Sequence, residues 1–400
     1  MAQVAKIKYW FLCLVPFVMC TYAYWAGYAI IGYLLCWLLE GDLKRKVTAI
    51  TGNKFVWLFI SFFVLHIIGM LYTSNASGGW FIIQVKLSLL LFPILLSAEG
   101  SMEISKQKPL IYSFIAGCVA NSIVCLIYAI WLFFARDIIQ FQYMQFSILM
   151  HPSYFSMYID LAMLFTFYLF TNENIMLNKA ERGLLIASVL FLEFMLVLLQ
   201  SKMGMIISAI LLVVLLVRAV KKYSYKTSGL LFVIMTAIYF LTFHFVIGQR
   251  SRVAGAVNSM VNKPINAASV ESTQARSIVW KAAIEVIELH PFIGVGTGSA
   301  DTVLVKQYLN DGYTGVAKEH LNTHDQYLQT TVILGVIGLL SLLACFIFPF
   351  FTCINNKRFI YGAFLLIVAA NFLVESMLET QSGTIFYGFF NSLLMFNFVI

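Results

Sequence analysis

Charge is what this sequence has least of. Only 11% of its 400 residues are charged, while 61% are hydrophobic and the mean hydropathy is +0.88. A soluble domain averages about 25% charged and about 45–50% apolar residues, so that class is excluded and a polytopic membrane protein is expected. No Cys-x-x-Cys pair occurs among the seven cysteines (Cys13, Cys20, Cys36, Cys118, Cys125, Cys345, Cys353). They lie in apolar runs or at their ends, which argues against a disulfide framework or zinc ribbon and for small buried hydrophobes. Low-complexity tracts, internal repeats and a soluble domain are also missing. The basic stretch to Lys8 runs straight into apolar sequence without a clear signal-peptide cleavage site.

A bilayer core needs about 20 apolar residues per helix. The first run, 9–39, suits two short tilted helices with a break near 24–27. Further spans are expected at 55–72, 80–97, 110–134, 154–170, 184–199, 203–220, 230–247, 328–351, 359–373 and 384–400, about twelve in all. The net charge of +8 then records topology and implies no nucleic-acid partner. With the N-terminus inside, sixteen of the 26 Lys and Arg residues fall in short cytoplasmic loops, as the positive-inside rule requires. The same rule puts the one long polar segment, 248–327, outside. The chain therefore divides into nine helices over 1–247, an extracytoplasmic segment at 248–327 and three helices over 328–400. Together they make a single all-α membrane domain.

Chemistry concentrates in that segment. Residues 258–273 read as a loop, and 275–289 as an amphipathic helix with Ile278, Val279, Ala282, Ala283, Val286 and Ile287 on one side. His290-Pro291 ends it, and Gly294, Gly296 and Gly298 make a turn. Arg276 opens the helix, where first-turn N–H groups and a guanidinium together suit an anion. Lys202 stands in a tight outer turn, and Lys86 lies at hydrocarbon depth, where a charge is a functional candidate facing the bundle interior. A cation near a helix end can equally snorkel to the interface. His320 and His324 could share a helix face, but the Glu of a zinc-protease motif is absent, since Leu321 follows His320. No metal site is expected. Secondary candidates are His151 and Tyr154 at the start of a span, Asp325 beside His324, and Arg250 and Arg252 in the outer segment.

These residues together resemble the O-antigen ligase/polymerase superfamily. The resemblance rests on Arg276 with Trp280 four residues on, and on the His-Pro-x-x-Gly-x-Gly turn from His290 to Gly296. His324-Asp325-Gln326-Tyr327-Leu328 at the start of a span extends it, as do Lys86 to Pro93 and His151-Pro152-Ser153-Tyr154. Two departures stand out. The family usually has Arg where this chain has Lys202, which keeps the charge but loses the bidentate fork. It usually has Asn where this chain has Asp325.

The resemblance implies a multi-pass protein of the bacterial inner membrane with a periplasm-facing site and no cofactor or metal. It implies transfer of a glycan from undecaprenyl diphosphate to an acceptor hydroxyl, on the lipid A core for a ligase. Arg276 and Lys202, with Lys86, would hold the diphosphate, and Arg276 and His324 would be catalytic. Histidine can accept a proton at neutral pH. Variants within the family are a polymerase extending a growing glycan acceptor and a protein O-oligosaccharyltransferase. A different class, a lipid-linked glycan flippase or transporter, would call for polar or broken helices near mid-bilayer in repeated halves.

Overall fold

The computed structural model describes residues 2–222, 229, 272–356 and 358–398. Every regular element among them is helical. Six helices are long and apolar enough to cross a membrane: Ala2–Thr21, Ala76–Ser97, Ile104–Arg136, Pro152–Thr171, Lys179–Leu199 and Gln326–Asn355. The pair Tyr24–Leu39 and Leu43–Thr51, bent by 115°, makes a seventh if taken as one span, and Lys54–Gly69 and Phe359–Phe372 are shorter apolar helices. The chain is a multi-pass membrane protein. The first run does split in two, at Tyr22, whose extended backbone (φ −147°, ψ 111°) separates Ala2–Thr21 from Ala23–Leu39. The span expected at 230–247 and the segment 248–271, with Arg250 and Arg252, lie outside the described residues.

Short polar residues set the helix starts, each accepting a first-turn N–H that the helix itself leaves unpaired. Asn53 accepts from Phe55 N and Asn75 from Gly78 N. Asn178 and Glu181 form a reciprocal capping box. Thr380 accepts from Gly383 N at the start of Gln381–Ser392.

The chain forms two compact units. The first comprises 1–43, 101–250 and 398–400. Here Gly117 lets Ile104–Arg136 press on Ala2–Thr21: a Cβ added there would lie 2.6 Å from Phe17 O. Gln200, at φ 49°, turns the chain between Lys179–Leu199 and Lys202–Lys222. Ser201 Oγ accepts from Ser156 at 2.8 Å, and Gly204 sits against Ser156 with no room for a side chain.

The second unit comprises 44–100 and 251–397. Its central helix, Gln326–Asn355, is interrupted at Gly335 (φ 64°, ψ −163°). In a membrane every backbone polar group freed by such a break needs a partner inside the protein. The glycine turn supplies them. Val295 N and Gly296 N donate to Val332 O and Ile333 O at 2.9 and 3.0 Å, and Val336 N and Ile337 N donate to Pro291 O and Phe292 O at 2.8 and 3.3 Å. This splice needs backbones in contact. A Cβ on Gly294 would meet Ile333 C at 2.4 Å, and one on Gly335 would meet Phe292 C at 2.2 Å; both glycines have positive φ. The His-Pro-x-x-Gly-x-Gly turn is thus an architectural joint.

Candidate active site

The amphipathic helix runs Ser272–Leu289, three residues further back than the sequence pattern suggests. Of its expected apolar side, Ile278, Val279, Ala282, Ala283 and Val286 are buried, together with Ala275, while Ile287 is half-buried. Arg276 therefore stands on the fifth residue rather than in the first turn, so the terminal N–H groups do not belong to its position. What the placement provides is a face. Residues four apart share a helix side, and Arg276 and Trp280 both reach loops of the same unit, at 374–375 and at 323. Trp280 Nε1 donates to Thr323 O at 2.9 Å. Arg276 Nη2 donates to Val374 O at 3.0 Å and lies 3.7 Å from Glu375 Oε1.

The same carboxylate holds the histidine: Glu375 Oε2 is 3.2 Å from His324 Nδ1. Arg276 and His324 are thus brought together on Glu375, with side-chain exposures of 28% and 29% against 9% for the glutamate. Two partly open groups face a covered acid. His324 itself adopts a left-handed backbone (φ 46°), and its N–H donates to Asn322 Oδ1 at 2.9 Å. That conformation costs a non-glycine residue about 1 kcal/mol or more and is tolerated where surroundings hold it. The neighbours do: Thr323 N donates to Gln329 Oε1, Thr323 Oγ1 donates to Asp325 O, and Asp325 caps Gln326–Asn355 by accepting from Leu328 N at 2.9 Å. Burial pushes the Asp325 carboxyl above the usual carboxylate range.

His320 and His324 do not share a helix face, because His320 also has a left-handed backbone (φ 50°) and the two lie in bends. His320 pairs instead with Asp301 on an exposed patch, at 3.2 Å.

Lys86 is fully buried, as a functional candidate facing inward would be. Its ammonium donates to Glu379 Oε1 at 2.7 Å and to Leu378 O at 2.6 Å. Gln326 grips the same place, accepting from Leu378 N at 2.6 Å and donating to Glu379 Oε1 at 3.4 Å. Thr323 and Ser376 add a hydroxyl contact at 3.3 Å. The 374–380 loop is therefore tied at Val374, Ser376, Leu378 and Glu379. The sequence reading leaves 374–383 as the connection between the spans at 359–373 and 384–400 and places no functional residue in it. Glu375 and Gln326 are the residues that reading missed. Their signal is faint, since Glu375 sits at the end of an apolar run and meets His324 across 51 residues of chain.

Three candidates belong to the first unit. Lys202 opens Lys202–Lys222 and is half-buried beside Ser201. His151 caps Pro152–Thr171, with Pro152 at the favourable first position and Nδ1 accepting from Ser153 N at 3.3 Å. Its ring meets the buried Tyr154 edge-on at 5.7 Å.

The Arg276 side chain is 28% exposed beside Glu375. Its Nε is buried and has no hydrogen-bond partner among the described residues, and such a donor is costly unless something fills it. No curated protein matches the chain. A family model described as O-antigen ligase does match, over residues 186–343, a span that includes Lys202, Arg276 and His324. Over those residues the chain is similar to that family.

Proposed function

We propose that this protein is an O-antigen ligase-like transferase, moving a glycan from undecaprenyl diphosphate to an acceptor hydroxyl on the lipid A core. The site faces the periplasm from the inner membrane, with the polar segment around Arg276 and His324 on the outer side of about twelve spans. The observation that carries this reading is the convergence on one covered carboxylate of Arg276 and His324, both of which lie within the residues that match the family model.

In this reading the acceptor oxygen attacks the anomeric carbon as the bond to the diphosphate oxygen breaks. The bond's electron pair leaves with the diphosphate. His324 Nε2 takes the acceptor hydroxyl's proton, a contribution typically worth about 10²–10⁴-fold. Arg276, whose guanidinium is partly exposed, stabilises the charge on the leaving group; one such donor is worth about 10²–10³-fold. Lys86, held by Glu379 and Leu378 O, supports the loop that carries Glu375, and no metal or cofactor enters the scheme.

Deleting the gene and profiling lipopolysaccharide and lipid-linked glycans separately tests the assignment. A ligase leaves long polymer on the lipid carrier and bare core lipopolysaccharide. Core bearing one repeat unit without a ladder makes the protein a polymerase. Unchanged profiles of both pools defeat the reading.

A further inference from the structure

We infer that Glu375 is a positioning residue for transfer, fixing the His324 imidazole with Nδ1 as donor so that Nε2 is the acceptor. The inference rests on the transferase reading above and adds a residue outside the matched family region, which ends at 343.

With Glu375 ionised, the geometry allows one assignment. An ionised carboxylate has only acceptors, so the 3.2 Å contact between Glu375 Oε2 and His324 Nδ1 requires the hydrogen on Nδ1. The lone pair is then on Nε2, the nitrogen left for an acceptor hydroxyl. When Nε2 takes that proton the ring becomes a cation, and the adjacent carboxylate stabilises it without being protonated itself, the role an acid plays behind a histidine base. The other oxygen, Oε1, faces Arg276 Nη2 at 3.7 Å. That guanidinium flanks the carboxylate on the side away from the histidine.

The loop is built to keep this acid in place. Four ties restrain 374–380: Arg276 to Val374 O, Thr323 to Ser376, and Lys86 and Gln326 to the Leu378 peptide and Glu379. Two of those ties come from the segments that also carry the functional groups, Arg276 itself and Thr323 next to His324. A group aimed in this way can hold its partner within the narrow tolerance that proton transfer needs.

The test is transfer kinetics with purified full-length protein and a polyprenyl-diphosphate-linked glycan as donor. E375Q should lower kcat by about 10²-fold or more, with no rise in KM for the donor. E375D, which keeps the charge on a shorter arm, should recover at least about tenfold of that loss. Wild-type kcat in E375Q, or a raised KM with kcat intact, would overturn the positioning role. If E375Q does not fold, E375A decides: reduced kcat at unchanged KM supports the role, and wild-type kcat overturns it. Failure of the parent reading looks different, because wild-type protein would then transfer no glycan at all.

Discussion

Glu375 and Glu379 sit four residues apart on one loop, each paired with a cation, yet the two pairs do different things. Glu379 meets a lysine with no exposed surface, and both partners also bind neighbouring backbone or amide groups. Glu375 meets an arginine and a histidine that each keep more than a quarter of their side-chain surface open. A dry ion pair is expensive to break and has no access to substrate. A covered acid behind two accessible groups can act through them. The difference teaches that charge at depth marks either support or chemistry, and that exposure of the partner separates the two.

The largest effect should come from removing the joint beneath both pairs. G335A places a Cβ on the Phe292 backbone at a positive-φ position, so little folded protein should be recovered by size-exclusion chromatography in detergent. Next is E379Q, which leaves Lys86 charged and poorly paired. We expect a loss of about 3–5 kcal/mol, read as a lower melting temperature, with K86M/E379Q regaining much of it. E375Q should lose turnover with far less stability, and equal stability losses at the two glutamates would dissolve the contrast. K202R should transfer at near wild-type rate if that cation binds phosphate, whereas complete loss of product would point to tight packing at the Ser201 corner.

The smallest effect concerns Asp325. Its carboxyl titrates above the ordinary range in the folded protein because it is buried. Between the ordinary value and the raised one, the folded chain binds more protons than the unfolded chain, so stability falls as pH rises through that window. D325N keeps an N-cap acceptor and should flatten this slope, as measured by melting temperature against pH.

Much of the fold was legible because apolar runs and short polar caps are local signals. His151 before Pro152 marks a helix start from sequence alone. Arg276 and Trp280 declare a shared face by their spacing. The break at Gly335 was hidden, because the apolar run through it is continuous and its replacement partners, Pro291 to Gly296, belong to another segment. Lys86 announced its depth but not its partner. Glu375 was the hardest to find, since an acid at the end of a span is ordinary until the fold sets it between an arginine and a histidine.

The central claim is that His324 and Arg276 perform glycan transfer. Its most direct test is product formation by the purified protein in detergent, from a polyprenyl-diphosphate-linked glycan and a lipid A core acceptor, with no sealed vesicle present. The account predicts product from wild type and a loss of about 10²-fold or more in both H324A and R276A. Near-normal product from either folded variant, or none from wild type, would contradict it.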